Sequence, residues 1–209
     1  MIDDGANVDA LMKQVTSKEP DMVEIRLDRL HQRELLDDVA KKKSCQFIAA
    51  DRSDRSQARK LEELSAAASL GFDFVDVDFS KTNPAELKQL KSQGVQVILS
   101  THNYSETPSR EELSRILRAQ KRLGGDICKL VTTARLPRDN LTILSFVESE
   151  ATNTKLVAFA MGREGIASRV LSPLFGAQFT FASLSSESRT ADGQLTIDEL
   201  RSAWRILGI

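Results

Sequence analysis

Cysteine is scarce: only Cys45 and Cys128 occur in 209 residues, far apart and with neither CxxC nor Cys/His ligand spacing. That argues against a disulfide framework and a thiolate metal site, and both positions, inside apolar strand-like runs, read as buried free thiols. A charge excess is equally missing. Lys and Arg number 29 against 30 Asp and Glu, a formal net charge of −1, and no long block of one sign occurs. Nothing therefore marks an electrostatic footprint for nucleic acid or for an anionic membrane. No apolar run approaches the roughly 18 residues of a membrane span, and the opening MIDDGANVDALMKQV lacks the basic flank and apolar stretch of a leader, so a cytoplasmic protein is expected. Neither GxGxxG nor GxxxxGK[ST] is present, which removes the usual marks of a nucleotide-binding open sheet.

What the chain does have is alternation. VEIRLD (23–28), CQFIAADR (45–52), FDFVDVDF (72–79), VQVILSTH (95–102), DICKLVTT (126–133), LVAFAMG (156–162) and QFTFAS (178–183) read as strands. Between them lie runs of helical periodicity, including 58–71, 84–94, 109–125 and 140–153, rich in good helix formers and often closed by Gly. Thr107-Pro108 suits an N-cap with Pro at the first helical position, and Thr196 with Glu199 fits a capping box for a last helix over 197–207. Repeated strand–helix units imply an α/β protein with a parallel sheet, taken here as one domain over 1–209. Side chains two apart share a strand face, so Glu24, Arg26 and Asp28 oppose Val23, Ile25 and Leu27, and Asp76 and Asp78 oppose Val75, Val77 and Phe79. Charges gathered near strand ends suit a (β/α)8 TIM-type barrel, whose active sites sit at the C-terminal mouth.

Lys129 stands mid-strand in Asp-Ile-Cys-Lys-Leu-Val, where an enclosed amine can be driven toward its neutral, nucleophilic form and attack a carbonyl. Pairing with an inward carboxylate such as Asp78 is the alternative. His102 ends its strand and, with a near-neutral pKa, is a natural general acid/base; a merely hydrogen-bonding histidine is the alternative. His31, the other of only two histidines, reads as an exposed helix-start residue. Arg26, Arg52 and Arg169 each offer a fork of donors for an anionic or polyhydroxylated ligand, or a structural ion pair. Arg169 is the best carboxylate anchor, because its loop enters a short helix whose N–H groups could assist. Asp73, Asp76 and Asp78 fit strand alternation better than a metal site, so no metal is expected.

Taken together and in order, Val-Glu-Ile-Arg-Leu-Asp (23–28), Ser-Thr-His-Asn-Tyr (100–104) with Thr107-Pro108, Gly-Asp-Ile-Cys-Lys (125–129), Met161-Gly162 with Ser168-Arg169, Phe175-Gly176 and Ala-Asp-Gly-Gln (191–194) resemble type I 3-dehydroquinate dehydratase across almost the whole chain. The resemblance implies a hydro-lyase of the shikimate pathway of aromatic amino-acid biosynthesis, with 3-dehydroquinate as its small-molecule partner and no cofactor. It also implies Lys129 as the imine-forming lysine and His102 as general acid/base. Glu24, Arg26 and Arg52 would bind ring hydroxyls, Arg169 the carboxylate, and Thr190 with Gln194 would belong to the substrate-closing loop. A homodimer is compatible with it.

Three positions depart from the family pattern. Ser56 stands near the place of the glutamate that usually follows the substrate-binding arginine and pairs with the histidine. Asp192 replaces the proline of the closing loop. The chain also opens into its first helix, with Met1–Asn7 reading as a loop where a first strand belongs, so the barrel is expected to lack that strand or to carry an atypical one. A lysine-imine aldolase would share Lys129 but need a phosphate-binding loop. A catalytically weakened sensor of a shikimate-pathway intermediate would need neither Lys129 nor His102.

Overall fold

The computed structural model describes residues 8–30 and 33–208. The readings placed on Met1–Asn7 and on His31 lie outside the described residues. The chain divides into two compact units, Met1–Ile98 and Leu99–Ile209. No helix among the described residues is long and apolar enough to cross a membrane.

The first unit runs α1 (Val8–Lys18), β1 (Met22–Arg26), α2 (Arg33–Lys41), β2 (Gln46–Ala50), α3 (Gln57–Ser69), β3 (Phe74–Asp78) and α4 (Pro84–Lys91) into the start of β4 (Gln96–His102). Its strand order is β1-β2-β3-β4. β1 and β2 are parallel with Arg26 beside Ala50, and β2 and β3 are parallel with Ala50 beside Asp76. Parallel neighbours cannot be joined by a tight turn, and the helices supply the crossovers. Helix starts are chemically marked: Ser56 accepts from Arg59 N–H to cap α3, and Asn83 with Glu86 forms a capping box at α4 with Pro84 leading. Phe47 and Phe72 meet edge to face at 5.4 Å in the core of this unit.

The second unit holds the end of β4, then α5 (Arg110–Leu123), β5 (Ile127–Thr133), α6 (Asp139–Glu150), β6 (Leu156–Met161), α7 (Ile166–Leu171) and α8 (Ile197–Leu207), with strand order β4-β5-β6. β5 and β6 are parallel, placing Lys129 beside Val157 and Val131 beside Phe159. Cys128, Leu130, Leu156, Ala158 and Ala160 pack with Leu113 and Leu117 of α5 and Ile143, Phe146 and Val147 of α6. Because side chains alternate, Lys129, Val131, Val157 and Phe159 take the opposite face. The sequence reading of an α/β chain with parallel strands and of α8 with its Thr196/Glu199 capping box stands in the structure.

Three expectations are corrected. Residues 178–183 form no strand. Gln178 N–H reaches Leu156 O at 2.8 Å, but beyond it the backbone bonds elsewhere: Phe181 O accepts from Arg169 Nη1 at 3.4 Å, and Ser183 exchanges bonds with Leu195 O and Ile197 N–H, both 2.9 Å. The Phe179/Phe181 alternation that mimics a strand serves aromatic packing, at 5.5 Å to each other and 6.0 Å from Phe181 to Phe159. At α5 the cap is Ser109, whose hydroxyl accepts from Glu112 N–H, whereas Thr107 donates to Thr133 O at 3.0 Å. Cys128 is buried but Cys45 only partly so, and burial pushes the Cys128 thiol up to about 11.

The segment before α8 is latched to the end of β6. Gly162 N–H donates to Asp192 O at 3.1 Å, and Gly193 lies so close that a Cβ there would stand 2.3 Å from Gly162 O. Gly193 also has φ +70°, where a side chain is strained.

Two outcomes are expected from this architecture. Thr196→Ala removes the α8 cap and should cost about 1 kcal/mol, lowering Tm by about 2–4 °C for a chain of this size in a thermal melt. Gly193→Ala should unlatch the loop, so that hydrogen exchange at the Gly162 amide accelerates roughly tenfold or more, as left-handed backbone costs a residue with a Cβ about 1–2 kcal/mol; protection of β5 amides should stay unchanged.

Candidate active site

Lys129 lies in the middle of β5 and is only 4% exposed. Its Nζ stands 4.1 Å over the centroid of the Phe181 ring, a cation held against an aromatic face. Behind it, the fully buried Gln120 of α5 donates from Nε2 to Thr101 Oγ1 at 3.0 Å and to Lys129 O at 3.3 Å. One helix side chain thus ties the residue preceding His102 to the residue bearing the candidate amine.

Arg169, on α7, is 2% exposed. Its guanidinium carbon lies 4.3 Å over the Phe159 ring, and Nη1 donates to Phe181 O. Nε and Nη2 are buried with no hydrogen-bond partner among the described residues. In Arg26 that same Nε/Nη2 edge grips Asp28 at 2.9 and 2.8 Å, so the edge left unmet on Arg169 has the geometry for a carboxylate. Burial pushes the Arg169 guanidinium down to about 10, leaving it cationic at neutral pH. The helix itself is locked: buried Asn140 donates to Pro137 O and Glu164 O at 2.8 and 2.6 Å and accepts from Ser168 N–H at 2.8 Å. Ser168 Oγ in turn accepts from Ala160 N–H at 2.9 Å. Because Asn140 takes the Ser168 N–H, that amide is not available to an anion.

His102 closes β4, and its ring stacks on Tyr104 at 5.8 Å with planes 13° apart. The turn that follows is stitched to the end of β5. Asn103 Oδ1 accepts from Ser105 N–H and Glu106 N–H at 2.9 and 3.0 Å, while Asn103 N–H donates to Val131 O and Thr133 Oγ1 donates to Asn103 O. In the latched segment, Gln194 is buried and its Oε1 accepts from Thr190 N–H at 2.7 Å and from the exposed Thr190 hydroxyl at 3.2 Å. Thr190 and Gln194 thus come together as one unit of the loop.

In the first unit, Glu24 and Arg26 share a face of β1 by register, both half-buried. Asp28, bidentate with Arg26, also accepts from Arg52 N–H at 3.2 Å, and Arg52 Nη2 lies 2.6 Å from the buried carboxylate of Asp76. Burial works to raise the Asp28 pKa, but the hydrogen bonds from Arg26 and Arg52 N–H, with the charge of Arg26, outweigh it and hold the carboxyl below its ordinary value. Asp78 accepts from Ser80 N–H and hydroxyl in its own turn. Ser56 is the α3 cap, and neighbouring Asp54 is exposed.

Sequence reasoning missed three contributors. Asn140 sat inside a helical run without a signal. Phe181 was absorbed into an apparent strand. Asp28 was read only as a strand-face charge, though its spacing of two from Arg26 was a usable hint.

A family model for type I 3-dehydroquinase matches residues 1–209. The chain is 35% identical over 210 residues to 3-dehydroquinate dehydratase of Thermococcus onnurineus (strain NA1), covering 97% of this chain and 94% of that protein. To the 3-dehydroquinate dehydratase of Pyrococcus abyssi (strain GE5 / Orsay) it is 34% identical over 204 residues, covering 94% and 92%. Its fold matches the crystal structure of 3-dehydroquinate dehydratase from Geobacillus kaustophilus HTA426 with a TM-score of 0.87 at 24% identity, over 98% of this chain and 88% of that one. With a buried strand lysine, a histidine closing the preceding strand and an arginine edge shaped for a carboxylate already in place, these matches lead to one assignment: the chain belongs to the type I 3-dehydroquinase family.

Proposed function

We propose that this chain is a hydro-lyase that converts 3-dehydroquinate to 3-dehydroshikimate, a step of the shikimate pathway, through an imine on Lys129 with His102 as general acid/base. The observation that carries the reading is the pairing of two buried cationic side chains, Lys129 and Arg169, at one residue, Phe181. The substrate has the matching groups, a ring ketone and a carboxylate. Family membership over residues 1–209 supports taking the whole chain as one dehydroquinase-like domain. The repeated strand–helix units and the match to a dehydratase structure support extending the α/β description to a (β/α)8 TIM-type barrel.

The chemistry closes without an external reagent. Lys129 Nζ adds to the ketone carbon, the carbonyl oxygen leaves as water, and a cationic iminium remains. His102 takes the proton from the adjacent carbon, and the freed electron pair enters the iminium to give a neutral enamine. The enamine returns its pair, expelling the hydroxyl one carbon further on, which leaves as water with the proton from His102. Hydrolysis then restores the amine and releases the conjugated ketone. The water lost on condensation is regained, so one water is lost overall. Arg169 is assigned the carboxylate, Glu24, Arg26 and Arg52 the ring hydroxyls, and Thr190 with Gln194 the closing loop. A glutamate beside His102 is not part of this assignment, since Ser56 caps α3 instead.

Borohydride added with 3-dehydroquinate present should reduce the iminium and add the ligand's mass to the peptide carrying Lys129. In His102→Ala, trapping should persist while turnover, followed by enone absorbance, drops roughly 10²–10⁴-fold. Turnover with an unmodified Lys129 peptide would exclude the imine, and trapping without turnover in the wild-type chain would mark a binding module. Arg169→Met should raise KM on the order of 100-fold, as truncated buried charge pairs cost about 2–5 kcal/mol. Its Tm should hold or rise, because the substitution removes a buried charge with unmet donors; a lowered Tm with unchanged KM would assign Arg169 to structure alone.

A further inference from the structure

The short helix that carries Arg169 has no side-chain cap of its own. α7 spans Ile166–Leu171, and the residue before it, Gly165, has no side chain to accept from the N–H groups of its first turn. A larger residue does not fit there, because a Cβ on Gly165 would stand 2.5 Å from Ala160 O. The acceptor comes instead from another helix. Asn140, the second residue of α6 and only 5% exposed, places Oδ1 2.8 Å from the N–H of Ser168, the third residue of α7. That is a donor which a capping side chain ordinarily takes. Asn140 Nδ2 donates to Glu164 O, just before Gly165, at 2.6 Å and to Pro137 O at 2.8 Å. The amide fits only this way round: reversed, its oxygen would face two carbonyls and its nitrogen an N–H.

We infer that Asn140 is a positioning residue for the carboxylate anchor, capping α7 from outside and thereby fixing where Arg169 stands. This deepens the proposed function and rests on Arg169 as the group that meets the carboxylate. Six residues are too few for a helix to hold its own place, since isolated helices shorter than about 12–15 residues are marginal in water. The place of α7 is therefore set by bonds from its neighbours. Ser168 carries two of them, its N–H bound by Asn140 and its Oγ accepting from Ala160 N–H of β6 at 2.9 Å. Arg169 comes next, and its guanidinium rests 4.3 Å over Phe159 of that same strand. Without the Asn140 amide, the N–H of fully buried Ser168 loses its partner, as do Glu164 O and Pro137 O, and the first turn of α7 shifts to find others. A guanidinium displaced with it meets a carboxylate off line, where a pair of parallel bonds loses most. Lys129 lies on β5 and is reached by none of these bonds, so the effect falls on carboxylate binding rather than on imine formation.

The test is a double-variant cycle on ligand affinity. Quinate, which has the carboxylate and hydroxyls but no ketone, is titrated by ligand-observed NMR against the wild-type chain, Asn140→Ala, Arg169→Met and the double variant. In parallel, the wild-type chain and Asn140→Ala are mixed with saturating 3-dehydroquinate and borohydride, and the fraction of Lys129 trapped is read by peptide mass. Asn140→Ala should weaken quinate roughly tenfold, whereas in the Arg169→Met background the same change should move it less than about twofold, because the group being positioned is gone. Trapping at saturation should stay within about twofold of wild type, as expected when only ground-state binding is lost. Asn140→Asp, equal in shape but without either donor, goes through the same cycle and should weaken quinate in the same direction. Equal losses of quinate affinity in both backgrounds overturn the inference, as does a matching loss of trapping in Asn140→Ala, which would mean that Asn140 supports the whole unit. Undiminished quinate affinity in Arg169→Met would instead overturn the anchor assignment beneath it, and an unmodified Lys129 in the wild-type chain would overturn the imine.

Discussion

The second unit is organised around a buried guanidinium. An ion taken out of water costs roughly several kcal/mol even after the surroundings relax, and Arg169 keeps two donors unmet among the described residues. The fold offsets this only in part, with the face of Phe159 and the carbonyl of Phe181. It then prevents escape: Asn140 and Ser168 lock α7, Thr180 donates to Arg169 O at 2.8 Å, and Trp204 of α8 donates to Val170 O at 2.8 Å. A side chain so held has its rotamer and desolvation settled by the fold itself.

The first unit handles its arginines in the opposite way. Arg26 is closed on Asp28 by two hydrogen bonds, and Arg52 lies against Asp76, so their charges are neutralised within the protein. Paired guanidiniums suit neutral ring hydroxyls better than a second anion, because a free carboxylate would have to compete with one already in place.

Much of this was readable from period and punctuation alone. The strands through Lys129 and His102 appear within a residue or two of their observed limits, because apolar alternation and flanking Gly mark them clearly. Thr196 with Glu199 announces α8 by its capping chemistry. The failures share a cause. Phe179 and Phe181 alternate like a strand, but Phe181 packs on Phe159, distant in sequence, and Thr107 looks like a cap but bonds to β5, 26 residues on. Asn140 reads as an ordinary helical position, and only the three-dimensional arrival of Glu164 and Ser168 turns its amide into a brace. Local patterns report the backbone's preferences; they do not report which distant group will claim a carbonyl or hydroxyl.

The latch between Asp192 and Gly162 is made of main-chain atoms, and its steric demands fall on two glycines, Gly193 against Gly162 O and Gly162 itself at φ +87°. Such a fastening is indifferent to the side chains that ride on it. Substitution of the side chain at position 192 therefore leaves the bond from Gly162 N–H to its carbonyl in place. The fastening is thereby separate in kind from the Thr190–Gln194 contact beside it, which does depend on a side chain, the Gln194 amide oxygen.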